Sequence, residues 1–325
     1  MSSKRFFSST GVRTGAAVLL LASLAGGLMQ TAHAQTKIRG GVASYNEALL
    51  PVITAQEKGY FKDEKIEVEL VNFKGGGPAV QAFVGGSVEL CFCAADHTLR
   101  LRNRNLPTII LLGLDDRHSY ALVTKASSPY KTLADMKGKT LGITAPGSLT
   151  DNTLRYSITE LKLEPDRDFT IIGVGGGAPM QAAIDSGRIE AGMVILSEIE
   201  FMMQKPGVYR IVQDYRDLPY PSYAALALES WVEKNPEAAR GFNRAMRKAM
   251  TELAKDPALG PAMAKKMYPH YSDQLAAQAA KTAISRMPKN GLMDAGTIKN
   301  LNAIVTATDR TLKPVTVSDV VKPNL

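Results

Sequence analysis

The sequence predicts an α/β protein of two similar lobes with a ligand cleft between them and a helical C-terminal segment. Three observations carry this. The chain contains an internal repeat, each copy orders its segments as strand, helix, strand, glycine-rich turn, helix, strand, and the residues after Pro236 read as helices alone.

The repeat is direct. Residues 75–92 read GGGPAVQAFVGGSVELCF and residues 175–193 read GGGAPMQAAIDSGRIEAGM. With one inserted residue, Gly75-Gly76-Gly77 falls on Gly175-Gly176-Gly177, Gln81-Ala82 on Gln181-Ala182, Gly86 on Gly187 and Glu89 on Glu190. Upstream, residues 38–43 and 140–144 read as first strands, 49–58 and 152–162 as helices, and 66–71 and 169–174 as strands entering the glycines. That order implies right-handed parallel crossovers and a sheet in each half. Residues 108–114 and 120–125 read as extended, with a turn at Ser127-Ser128-Pro129, which places the first crossing between lobes near residue 122. Pro219-Tyr220-Pro221 before an apolar run at 223–228 places the return near 219. Residues 35–122 and 220–325 are then one lobe and 123–219 the other. Residues 237–255, 258–267, 273–286 and 296–308 have apolar positions at three- and four-residue spacing and complete the first lobe.

Composition narrows the class. The 325 residues are 45% hydrophobic and 22% charged, as in a globular protein, which excludes disorder and collagen. The net charge of +8 is spread along the chain and does not point to nucleic acid. Lys4, Arg5 and Arg13 precede a short apolar stretch at 16–25, and Ala32-His33-Ala34 offers small residues to a signal peptidase. This pattern predicts a secretory signal over 1–34, cleaved before Gln35, and a periplasmic chain; no cysteine near the cleavage site offers a lipid anchor. The only cysteines, Cys91 and Cys93, lie on one face of a strand. Residues two apart on a strand place their Cα atoms near the upper limit for a bridge, so two buried free thiols are expected.

Ligands of open α/β sheets bind beyond the carboxyl ends of the strands. Three helix starts lie there, after Gly75–Pro78, 147–151 and 175–179, and their free N–H groups suit an anionic or polar ligand group. Gly76, Gly77, Ser148, Thr150, Asp151, Gly176 and Gly177 are the expected contacts, with an N-cap as the alternative role for Ser148, Thr150 and Asp151. Other strand ends add Tyr45 for stacking, Asn46, Asp96 and His97, Arg117 as a fork for a carboxylate or sulfonate, and Glu198 as an acceptor. Catalysis is not predicted. The histidines beyond residue 34 are His97, His118 and His270, and no HExxH, Gly-x-Ser-x-Gly, Walker motif or metal-ligand spacing occurs. No cofactor and no metal are expected.

Residues 44–61, with Glu57-Lys58-Gly59-Tyr60-Phe61, resemble the start of mature periplasmic solute-binding proteins of the nitrate/sulfonate/taurine type. Gly85-Gly86-Ser87-Val88-Glu89, residues 132–139 and Ser186-Gly187-Arg188-Ile189-Glu190-Ala191 are similar to that family too. The resemblance covers roughly 38–230. It implies a type II periplasmic-binding fold, a monomer that captures a small anionic organic solute, and an ABC import permease as partner. The same superfamily includes proteins that bind or make the thiamine pyrimidine. The synthase branch carries a CCCFC motif, of which Cys91-Phe92-Cys93 is a partial likeness elsewhere in the chain. Pyrimidine binding, an enzyme, or an exported sensor on the same lobes are the alternatives that follow. Asp115-Asp116-Arg117-His118 departs from the family pattern and is expected to bear on the ligand.

Overall fold

The structure, a computed structural model, describes residues 35–322 and Leu325. The expected export signal at 1–34 lies outside the described residues. The strands are β1 (Thr36–Val42), β2 (Ile66–Asn72), β3 (Leu90–Cys93), β4 (Thr108–Arg117), β5 (Tyr120–Lys125), β6 (Thr140–Ile143), β7 (Thr170–Gly173), β8 (Ala191–Ile195), β9 (Tyr209–Asp214) and β10 (Pro219–Leu228).

They build two five-stranded sheets, in the orders β2-β1-β3-β10-β4 and β7-β6-β8-β5-β9. In each, the first three strands are parallel, as the strand–helix–strand order requires. The fourth strand is antiparallel and arrives from the other half: β5 follows β4 into the second sheet, and β10 follows β9 back into the first. The chain therefore crosses at 117–120 and at 214–219. Tyr120 already pairs with Ile195 in the second sheet, so the first crossing precedes residue 122.

The repeat is visible in the packing. β3 and β8 are buried at every position, which explains their unbroken apolar sequences. A Cβ added at Gly142 in β6 would sit 2.4 Å from Ile189 Cδ1, and one at Gly41 in β1 would sit 3.0 Å from Val88 Cγ2. These two glycines occupy matching places, each under the turn that follows the repeat helix (Gly76–Val84 or Ala178–Asp185).

The C-terminal helices run Pro236–Lys255, Leu259–Met267, Asp273–Arg286 and Ala295–Thr308. The first buries Phe242, Met246, Ala249 and Leu253. Phe242 stacks on Phe61 with ring centroids 5.8 Å apart. Full burial of such a ring is worth about 1.5–3 kcal/mol. Ala295–Thr308 packs on both β10 and the Leu149–Glu160 helix, so it touches both halves. Among the described residues, no helix is long and apolar enough to cross a membrane.

One expectation is corrected. Cys91 and Cys93 are joined by a disulfide, with Cα atoms 5.5 Å apart. That separation is shorter than two residues of ideal strand and lies within bridging range. Cys93 ends β3, and the chain turns at once into the Asp96–Arg102 helix.

Candidate ligand site

The strand ends of the two sheets face one another across a cleft of two adjoining chambers. The inner one, about 20 Å³, has room for one small group. Its polar lining comes from Ser44 and Asn46 after β1, His97 after β3, Ser119 and Tyr120 at the first crossing, Thr144, Ser148 and Thr150 after β6, and Ser222 and Tyr223 in β10. The outer chamber, about 200 Å³, shares Ser44, Tyr120 and Ile195 with the inner one and adds Tyr45, Lys74, Gly176, Gly177, Met193 and Glu198.

The inner lining contains no Lys, Arg, Asp or Glu. Its hydroxyls are held by one another. Thr144 Oγ1 lies 2.9 Å from Ser148 Oγ and 2.8 Å from Thr150 Oγ1, and Thr150 Oγ1 also accepts from the Thr144 N–H. Tyr120 Oη lies 3.3 Å from Ser44 Oγ, and Tyr223 Oη donates to the Ser44 carbonyl at 2.6 Å. Burial, with Ser44 opposing it, pushes the Tyr120 phenol up to about 12, so it stays a neutral donor. His97 is buried, and its Nε2 has no hydrogen-bond partner. Burial lowers its pKa below the ordinary range, against the attraction of Asp96, so the ring is neutral near pH 7. In the outer chamber burial raises the Glu198 carboxyl, and His270 pulls it back.

Of the residues singled out in sequence, Asn46, Gly76, His97, Ser148 and Thr150 meet in the inner chamber. Tyr45, Gly176, Gly177 and Glu198 meet in the outer one. Four lie elsewhere. Asp96 is buried behind the wall and accepts from Asn152 Nδ2 at 2.8 Å. Asp151 accepts from the Gly147 N–H at 2.8 Å and from Arg155 at 2.6 Å, a local role at the helix start. Gly77 borders the cleft without lining it: a Cβ there would lie 2.7 Å from the Pro146 carbonyl, so the two halves touch at this point. Arg117 projects outward beside Asp116, at 3.8 Å, and reaches neither chamber. Asn46 itself is partly spent as a cap, accepting from the Ala48 N–H at 2.9 Å.

Sequence reasoning passed over Ser119, Tyr120, Ser222 and Tyr223. Their signal was present: Ser119-Tyr120-Ala121 and Ser222-Tyr223-Ala224 repeat one another at the two strands that enter a sheet from the other half.

Two mixed sheets with a cleft at their facing strand ends define a periplasmic-binding fold. A protein of Bordetella bronchiseptica RB50 superposes with a TM-score of 0.79 at 25% identity, covering 89% of this chain and 95% of that one. The alkanesulfonate-binding protein SsuA of Xanthomonas axonopodis pv. citri, solved with MOPS bound, has a TM-score of 0.69 at 18% identity, over 88% and 98% of the two chains. The chain belongs to the NMT1/THI5 like family, whose model matches residues 46–259. Among curated relatives, a 4-amino-5-hydroxymethyl-2-methylpyrimidine phosphate synthase of Saccharomyces cerevisiae is 26% identical over 228 residues. That match spans 64% of this chain and 64% of the relative's length.

Proposed function

We propose that this protein is a receptor that captures a small organic solute between its two halves and delivers it to an ABC import permease. It acts as a monomer in the periplasm, after loss of residues 1–34. The cleft carries the reading: ten polar residues from both halves converge on the inner chamber. A site assembled from two halves can open to load and close to hold. The solute-binding neighbours support the same role, and the Cys91–Cys93 disulfide suits an oxidising compartment.

The solute's body occupies the outer chamber, and one small polar group enters the inner one. An anion there would meet helix N–H groups and hydroxyls but no basic side chain, since Arg117 lies outside. The neutral hydroxyls and the unpartnered His97 Nε2 offer both donors and acceptors, which favours an uncharged inner group, a hydroxyl, amide or ring amine, with Lys74 and Glu198 left to read charge at the rim. The synthases among the relatives favour a second reading, an aminopyrimidine as solute or substrate.

A thermal-shift panel of alkanesulfonates, carboxylates, aminopyrimidines, amides and polyols tests this. A compound at 100 times its Kd stabilises by about 2.7 kcal/mol. A compound with an uncharged polar end is expected to stabilise the wild type and leave Ser148→Trp, with its inner chamber filled, unmoved. Stabilisation by sulfonates alone, or an equal response of the filled variant, contradicts the assignment. The stabilising compound is expected back unchanged from chromatography; a product of many turnovers would make the protein an enzyme. Mass spectrometry of a periplasmic extract is expected to find a chain starting at Gln35, and full-length chain in the inner membrane would refute the export step.

A further inference from the structure

We propose that Arg286 is a positioning residue that holds both crossings in the closed geometry without touching the solute. This rests on the receptor reading above. Arg286 is the last residue of the Asp273–Arg286 helix and is 6% exposed. Its Nε donates to both Asp115 oxygens at 3.1 Å, and Nη2 donates to Asp115 Oδ2 at 2.9 Å. Nη2 also donates to the carbonyls of Arg117, at 2.8 Å, and His118, at 2.9 Å, while Nη1 donates to the Arg216 carbonyl at 3.1 Å. One guanidinium thus grips the first crossing at 115–118 and the start of the second at 216.

These carbonyls need such a donor. The β4–β10 ladder shifts register between Pro219 and Tyr223, beside the point where both strands leave the sheet. Arg117 ends β4 while His118 and Arg216 lie outside the strands, and buried carbonyls with no ladder partner must be satisfied by something else. The grip reaches the chamber in two further steps. Asp115 accepts from the Ser119 hydroxyl at 2.7 Å, and Ser119 Oγ lies 2.7 Å from Ser222 Oγ. Ser119 lies in the first crossing and Ser222 in β10 just after the second, and both line the inner chamber. The wall that meets the solute is therefore fastened to the C-terminal helices through Arg286. A buried ion pair is weak evidence of stabilisation, because an apolar pair of similar volume often replaces it without loss. What an apolar pair cannot supply is a rigid fork serving one carboxylate and three carbonyls, and neither can lysine.

The test needs no solute. A Cβ at Gly75 would lie 3.1 Å from the Ala145 Cβ, across the cleft, and Gly75 has an extended backbone that cysteine accepts. In the Gly75→Cys/Ala145→Cys protein, disulfide formation in glutathione buffer reports closing, and maleimide labelling of the reduced pair reports opening. The same pair is placed in Arg286→Lys and in Asp115→Leu/Arg286→Met, which fills the space without the fork. Both are first shown to be folded by circular dichroism and melting. Cross-linking at least fivefold slower in the folded variants supports the proposal. An unchanged rate in either overturns it, as does collapse of both, which would make Arg286 a residue of the core. If the pair with Arg286 and Asp115 intact cross-links fully and never takes maleimide, the halves do not separate, and the receptor reading fails as well.

Discussion

Glu47 and His118 are buried ionisable groups on which pH acts in opposite senses. Burial pushes the Glu47 carboxyl up to about 7, with Glu200 and Asp115 adding repulsion and Ser197 opposing it; Oε2 has no hydrogen-bond partner. Its folded-state pKa lies above the ordinary 4.5, so its contribution to stability is complete below pH 4.5 and is lost as pH rises through about 7. That loss is roughly 3 kcal/mol at about 1.4 kcal/mol per unit. Burial, and next the charge of Arg286, hold His118 down at about 3. Its contribution is complete above the ordinary 6.5 and is lost as pH falls toward 3. Melting curves from pH 4 to 8 separate the two. Glu47→Gln is expected to gain on the wild type as pH rises, and His118→Gln to gain as pH falls. A constant offset in either series would refute that assignment. At this scale the sequence was legible where a residue follows a strand or opens a helix, as with Asn46, His97, Ser148 and Glu198. It was not legible for Arg286, whose acceptors come from positions about seventy and a hundred and seventy residues away.

At the scale of elements, the repeat made most strands and helices readable. The C-terminal helices fall within two residues of their expected bounds, because apolar faces at helical spacing survive in any packing. β9 went unread. Tyr209–Asp214 is an edge strand that runs from a buried Tyr209 through three half-buried residues to two exposed ones, so it shows neither an apolar run nor clean alternation. The expectation of free thiols fails because ideal strand geometry does not continue past Cys93, where the strand stops. The matched glycines give this scale its prediction. Gly142→Ala places a methyl 2.4 Å from Ile189 Cδ1 and 3.1 Å from the Met180 sulfur. Overpacking of this kind costs about 1–3 kcal/mol. Urea unfolding is expected to show that loss with an unchanged slope, and Ile189→Val is expected to recover part of it in the double variant. An undiminished midpoint would contradict the packing.

For the whole molecule, exchange of β5 and β10 between the sheets is the organising fact. Because each half lends one strand to the other, the two crossings lie together behind the chamber, and Ser119-Tyr120 and Ser222-Tyr223 form its rear wall. The halves meet again at the mouth, where Gly75 and Gly77 approach Ala145 and Pro146. On the proposed reading, a solute in between has contacts with both halves only when they are together, and that difference would draw them closed. The measurement that bears most directly on this is the rate at which the best compound of the thermal-shift panel leaves the Gly75→Cys/Ala145→Cys protein, loaded and then oxidised. The dissociation rate is expected to fall by at least a hundredfold against the two single-cysteine proteins, because the exit is sealed. An unchanged rate in the cross-linked protein would place the solute outside the cleft and contradict the account.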